Sequence, residues 1–394
     1  MTRPAETVPE EKKILIFDGM WNKTLAAVRS LGKRGFHLTV GEWTRFATSL
    51  FSKYCSRKVI YPSPISVPDE FISWLLHEIK SNRYEMIMPM ELHTQMLLIK
   101  HRKEIERHTR LPFGDYESIS NIENKAWLMK FALSNNIPCP KTFFPENPAA
   151  AESLSRRLDY PVVIKPRSSS GSRGILYVNE PSGFIDAYNR VHKDFPCPIV
   201  QEYIPNGGAF GVGTLFNYDS EPRASFVYKR LREYPLTGGP STLRKSTNNK
   251  EVEKIALSLL KSLKWTGIAM VEFRVDARDG LPKLMEINPR FWGSLQLAIL
   301  AGIDFPYLLY KLAVNGDVSP HNNYKLNVKS RWLIPGDIMH FINNPERFRL
   351  NPSFFSFEAK DDIISIDDPM PTLGRISSLL PLMYSRDMKK ILNR

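Results

Sequence analysis

Cysteine is scarce in this chain. Three occur in 394 residues, Cys55, Cys139 and Cys197. An odd, scattered set builds no disulfide framework and matches no zinc spacing. It fits a reducing cytoplasm. Long apolar runs are also missing: no stretch approaches the roughly 18 residues that cross a bilayer. Met1 to Lys13 is polar with mixed charge, so a short disordered lead is expected, without the basic and apolar regions of a secretory signal. The turn Gly19-Met20-Trp21-Asn22 lacks the glycines of a dinucleotide fingerprint. No zinc finger or RNP-type aromatic motif accompanies the basic charge. No internal repeat or low-complexity tract occurs.

What is present is a soluble balance with an excess of cations. The 54 Lys and Arg outnumber the 41 Asp and Glu, for a formal net charge of +13. They are spread along the chain, so most read as solvated surface and a few as charges for an anionic substrate. Nucleic acid is not expected as a partner, and no transmembrane segment is expected. The length implies two to four lobes rather than one core.

Lys13-Ile14-Leu15-Ile16-Phe17-Asp18 reads as a buried strand ending in a turn. Leu25 to Leu31 carries a helical period closed by Gly32 and Gly35. Phe36 to Val40 is the next strand, and strand–helix–strand implies a right-handed parallel unit. Phe71 to Ile79 reads as a helix and Met86 to Pro89 as another strand. Residues 1–115 therefore read as an open, Rossmann-like parallel α/β domain. Ser120-Asn121-Ile122-Glu123 fits a capping box, which predicts one helix from Asn121 to about Asn135. Strands are expected at 161–166, 175–178, 199–204, 212–217 and 224–229, and a helix from about Asn249 to Leu263. The stretch 232–246 reads as a loop. After about 318, aromatics, prolines and acids mix without a period. A short basic helix is expected from about Leu380 to Leu392.

The sharpest pattern is Val271-Glu272-Phe273 followed by Met285-Glu286-Ile287-Asn288-Pro289-Arg290, around the turn Ala277-Arg278-Asp279-Gly280. Asp-Gly between apolar runs predicts a hairpin. Centred near Asp279, it sets Glu272 directly opposite Glu286, with Cβ atoms about 4.5–5.5 Å apart. Two carboxylates so placed would repel, and one stable answer is a divalent cation between them; the alternative is an exposed face of an ordinary hairpin. Asn288 shares that face at period two and adds an oxygen. Arg290 follows on the same side.

Glu-x-Asn-x-Arg on one strand, with a Glu on the strand before it, resembles the ATP-grasp superfamily. The resemblance covers about residues 1–315, with its parts in the expected order. It implies an α/β ATP-grasp fold at 116–317, the open parallel domain before it, and a C-terminal extension at 318–394. It implies Mg-ATP, with Mn²⁺ as an alternative ion, held by Glu272, Glu286 and Asn288. Arg290 would face the transferred phosphoryl group. Lys125 looks like the first nucleotide lysine and Lys165, in Val-Ile-Lys-Pro, like the second. Ser168 to Gly174, with Ser170 and Gly171 at its centre, resembles the loop that closes over phosphates. Gln201-Glu202-Tyr203-Ile204 resembles the strand that pairs with adenine. Here the chain departs from the pattern: no acid lies between Tyr203 and Asp219 to bind ribose. Lys229, Arg230 and Arg244 flank a stretch resembling a substrate loop, where they would hold a carboxylate.

The activity so implied is an ADP-forming ligase that joins a small carboxylate to an amine through an acyl phosphate. A homodimer is compatible with it. Two rivals differ. Bicarbonate activation needs a tight small-anion site, whereas the long loop argues for a larger acid. A nucleotide-binding regulator without turnover would explain the missing ribose acid but not the complete Glu272, Glu286, Asn288 and Arg290 set. His93 and His192 lie in no recognisable motif and read as surface or packing residues.

Overall fold

The computed structural model describes residues 12–169 and 173–384, without the side chains of 380–384. The expected N-terminal lead, Ser170, Gly171 and the end of the basic C-terminal helix lie outside these residues. Within them the strands form three sheets.

The first sheet is parallel, in the order β3-β2-β1-β4. Its strands are β1 (Lys13–Ile16), β2 (His37–Glu42), β3 (Arg57–Ile60) and β4 (Met86–Met88). β1 and β4 are buried almost throughout, as strands covered on both faces require. Helices Asn22–Gly32 and Pro68–Asn82 make crossovers. The order reverses direction between β1 and β4. The crevice beyond their carboxyl ends is where an open α/β sheet binds ligands.

The second sheet runs β5-β8-β6-β7 and is antiparallel. Its strands are β5 (Thr142–Phe143), β6 (Val162–Lys165), β7 (Leu176–Val178) and β8 (Ile199–Glu202). It has its own small core, with Ile164, Phe184 and Val200 at the centre. The third sheet has seven strands in the order β13-β12-β9-β10-β11-β14-β15. These are β9 (Asn206–Phe216), β10 (Pro222–Glu233), β11 (Ser241–Ser246), β12 (Gly267–Asp276), β13 (Pro282–Asn288), β14 (Lys329–Arg331) and β15 (Lys360–Asp361). Helix Lys250–Ser262, capped by the Asn249 side chain, packs on β9 and β10.

Three expectations change. The predicted helix 121–135 is two helices, Tyr116–Glu123 and Lys125–Ser134. Asn124 breaks them, because its side chain accepts the backbone N–H groups of Ala126 and Trp127 and caps the second. The true first cap is Asp115, so the Ser120 capping box lies inside the first helix. The expected loop 232–246 is largely strand: β10 runs on to Glu233 and β11 begins at Ser241. The C-terminal helix begins at Met370, with Pro371 in its first turn, and runs to Tyr384.

The C-terminal segment has no period in sequence, yet it staples the molecule together. β14 and β15 extend the third sheet. Asp368 reaches the first lobe, accepting from Arg29 Nε (2.9 Å), Ser52 Oγ (2.7 Å) and the Lys53 N–H (2.9 Å). Among the described residues no single helix is long and apolar enough to cross a membrane. The apolar pair Leu295–Ala301 and Phe305–Asn315 bends by 86° and packs in the core.

Candidate active site

The β12–β13 register pairs Glu272 with Glu286 and Met270 with Asn288. Paired positions on antiparallel strands share a face, so the two carboxylates and the amide stand together. Neighbouring strands complete that face: Glu272 pairs with Gly211 on β9, and Gly211 with Tyr228 on β10. A Cβ on Gly211 would meet the Tyr228 ring at 2.3–2.4 Å. Only glycine lets that ring lie on the sheet.

Cations gather around the carboxylates. Arg230 forms an ion pair with Glu272. Lys125 Nζ lies 3.7 Å from Glu286 Oε2 and donates to the Ser169 carbonyl at 2.8 Å. Asn288 Nδ2 donates to Glu286 Oε1 at 3.1 Å. Burial pushes the Glu272 carboxyl up, against the pull of Arg230. Burial also acts on Glu286, but Lys125, Asn288 and Arg230 outweigh it and hold that carboxyl below its ordinary value. One carboxylate of the pair is thus easy to ionise and the other reluctant, as like charges at close quarters dictate.

Lys165 ends β6 with its side chain buried. Burial lowers its ammonium to about 7, with Lys125 adding to the effect and Glu286 opposing it. A buried lysine beside a second lysine gains most from an anion placed between them. The segment after Lys165 is fixed to the same point, because the Lys125 N–H donates to the Arg167 carbonyl at 2.7 Å. At the far end of the loop Gly174 has φ +70°, and a Cβ there would strike Pro166 and Phe195. Ser170 and Gly171, between these anchors, lie outside the described residues.

Gln201 is buried and its amide donates to Thr142 Oγ1 at 2.9 Å. The Glu202 carboxylate accepts from Arg278 Nη2 (3.0 Å) and the Lys141 N–H (2.8 Å). The Glu202 N–H itself donates to the Lys141 carbonyl and the Tyr203 N–H to the Pro161 carbonyl. Both side chains are therefore engaged within the protein. Ile204, buried where the strand's pairing ends, carries the next backbone edge.

Two expected substrate cations are placed elsewhere. Lys229 follows Tyr228 on the strand and precedes Arg230, so alternation turns it to the opposite face of the sheet. Its Nζ lies 5.9 Å from the centre of the Phe210 ring. Arg244 does share the face, paired in register with Arg230. It is fully buried, however, and ion-paired to the equally buried Asp362. Asp362 lies 118 positions away, and no local pattern announces such a partner.

The structure also adds residues. Glu123 ends the helix before Lys125, and burial pushes its carboxyl up to about 7, against Arg290 and Lys125. Arg290 faces a second cluster from the first lobe. There Lys23 Nζ binds Glu91 Oε1 at 2.8 Å and donates to the Phe291 carbonyl at 3.2 Å. Burial, reinforced by Arg290, lowers the Lys23 ammonium to about 8. Burial raises the Glu91 carboxyl, but Lys23, Arg290 and His93 outweigh it and hold it below its ordinary value. His93 Nε2 lies 4.0 Å from Asp18 Oδ1, so it belongs to this cluster rather than to the outer surface. The available signal was positional: Asp18 and Glu91 follow β1 and β4, at the crevice where the sheet order reverses.

The donor set suits a hard cation. Two carboxylates and an amide oxygen are all oxygen ligands, which favour Mg²⁺ or Mn²⁺ over thiophilic metals. Among the described residues no three His, Cys, Asp or Glu side chains converge into a complete metal cage. An ion here needs further oxygens from a ligand, as Mg²⁺ on a triphosphate does.

Comparison with known proteins agrees with this geometry. A family model described as ATP-grasp in the biosynthetic pathway with Ter operon matches residues 223–333. The chain is 24% identical over 245 residues to D-aspartate ligase of Enterococcus faecium, covering 57% of each chain. It is 28% identical over 184 residues to D-alanine–D-alanine ligase of Pelotomaculum thermopropionicum, covering 42% of this chain and 56% of that one. It thus spans a little over half the length of these two relatives. Among solved structures, biotin carboxylase of Campylobacter jejuni superposes with a TM-score of 0.68 at 18% identity, covering 81% of this chain and 74% of that one. L-amino acid ligase of Bacillus licheniformis gives 0.58 at 16% identity, covering 77% and 74%. These superpositions, the matched segment and the opposed carboxylates on one sheet give the chain the fold of ATP-grasp proteins.

Proposed function

We propose that the protein is an ADP-forming ligase that joins a carboxylate to an amine through an acyl phosphate made from ATP. The observation that carries this reading is the opposed Glu272–Glu286 pair with Asn288, ringed by Lys125, Arg230 and Arg290. The named activities of the D-aspartate, D-alanine–D-alanine and L-amino acid ligases support it. In this reading residues 1–115 supply the acceptor crevice, 116–317 the nucleotide clasp and 318–394 a strap. The compartment is the cytoplasm, consistent with three free cysteines.

Glu272, Glu286 and Asn288 would hold Mg²⁺, with Mn²⁺ as a substitute. Such an ion would supply charge neutralisation on the triphosphate. Lys125 and Lys165 bind phosphate oxygens, and the phosphates in turn restore full charge to Lys165. Ile204 offers its backbone to adenine. Arg230, held by Glu272, and Arg290 orient the substrate carboxylate and the phosphoryl group for in-line attack. The segment 168–174 closes over the phosphates and keeps water from the acyl phosphate. Amine attack then expels phosphate and leaves the amide.

The test is product analysis with purified protein, Mg-ATP and pools of amino acids and small carboxylates. ADP and phosphate formed only with a pool, and lost in Glu286→Ala, are the expected result. AMP and pyrophosphate would overturn the mechanism.

A further inference from the structure

The C-terminal segment carries an aromatic surface that the ligase chemistry leaves unused. Phe341 packs against Phe354, tilted, and meets Phe348 and Phe355 edge to face, with centroids 4.3, 5.6 and 5.8 Å away. Phe348 is 77% exposed, Phe355 63% and the neighbouring Phe357 100%. Ile342 is exposed beside them. A cluster that packs on itself and still presents its outer rings to water marks an interaction face.

The face is cationic as well as aromatic. The Arg331 guanidinium lies 4.2 Å over the Phe354 ring and that of Arg347 5.4 Å over Phe348. Residues 329–360 hold five Lys and Arg against three Asp and Glu. The same stretch lines a cleft with Arg232, Lys329, Arg331, Ser353 and Ser356. At about 10 Å³ it admits one oxygen-sized group and nothing bulkier. Its acid, Glu358, is ion-paired with Lys329. Arg331 Nη2 has no hydrogen-bond partner among the described residues.

We propose that this face docks the protein on an anionic lipid surface. Phe348, Phe355 and Phe357 enter the headgroup region, and the exposed Arg347 and Arg349 meet lipid phosphates beside them. Aromatic rings flanked by guanidinium groups suit the boundary between headgroup and acyl chain. Cations beside them are drawn to anionic headgroups. A second copy would bring the same arginines and the same +13 charge, so like charges oppose self-association here. No spanning helix is required, since a face of this kind lies on the membrane.

The experiment is co-sedimentation of the full chain with phosphatidylcholine vesicles, with and without phosphatidylglycerol. Two variants accompany it, F348S/F355S and R347S/R349S. All four positions are solvent-facing and outside the nucleotide site, so melting temperature and turnover serve as controls. Expected are binding to the anionic vesicles alone, weakening as salt rises, and a loss of about tenfold in either variant. No binding of the unaltered chain, or binding untouched by both variants, overturns the proposal. A concentration-dependent dimer that F348S/F355S dissolves, with no vesicle binding, also overturns it and gives the face to a second copy.

Discussion

The β12–β13 hairpin and the segment 318–384 both carry carboxylates into the interior, and they treat them in opposite ways. In the hairpin, Glu272 faces Glu286, and the surrounding cations leave the pair open to a further charge. In the C-terminal segment every buried carboxylate is sealed. Asp362 meets Arg244, Asp368 meets Arg29, and Asp337 takes both Arg232 and Arg331 at 2.7 Å. An acid paired with a buried guanidinium is a staple; two acids opposed on one face among several cations make a metal-type site. Burial alone does not separate the two.

Removing a staple should have the largest effect. Asp362→Ala leaves Arg244 buried and unpaired, and should cost about 3–5 kcal/mol in denaturant unfolding. Joint replacement, Arg244→Met with Asp362→Leu, should recover most of that loss, since well-packed apolar residues can replace a buried pair. If the single and double variants are equally unstable, the segment's geometry matters more than its charge. Glu286→Ala should show the reverse profile. Turnover should fall about a hundredfold to a thousandfold, while unfolding free energy moves by no more than about 1 kcal/mol. A large loss of stability would make Glu286 a staple after all.

A finer contrast lies within β10. Arg230→Ala should lower kcat/KM about tenfold, equal to about 1.4 kcal/mol. Lys229→Ala, on the other face, should change it less than about twofold. Equal losses would place Lys229 in the cleft. The last contrast concerns pH. Burial, reinforced by Asp18, pushes the Glu42 carboxyl up to about 8, although it accepts from the Met20 and Trp43 N–H groups. The folded state then binds more protons than the unfolded one between about 4.5 and 8, so stability should fall as pH rises through that window. The contribution is at most about 1.4 kcal/mol per pH unit. Glu42→Gln should flatten the profile in thermal melts from pH 5 to 8.5, and an unchanged slope would assign it to other groups.

Local patterns carried much of this reading. The Asp-Gly turn and alternating strands were enough to oppose Glu272 and Glu286. The apolar run before Lys165 was enough to end a buried strand at that lysine. Where a neighbour was remote, the pattern was silent. Nothing near Arg244 announces Asp362, and nothing near Asp368 announces Arg29, Ser52 and Lys53. The short β14 and β15 have no period of their own, because edge strands of two or three residues are defined by the partner they pair with. Asn124 shows a subtler limit. Its capping potential was present in sequence, but the helical period ran through it, and only the fold made the break that presents Lys125.

The sequence by itself determined the hairpin and the grouping of Glu286, Asn288 and Arg290 in one short stretch, because those follow from periodicity and turn chemistry over a few residues. Tertiary structure decided which cations reach that face. Strand alternation turned Lys229 away, a buried aspartate 118 residues distant claimed Arg244, and the first lobe brought Lys23 and Glu91 to Arg290. The physical reason is that a charge takes its role from whatever lies within a few ångströms of it, and chain folding alone sets that neighbourhood.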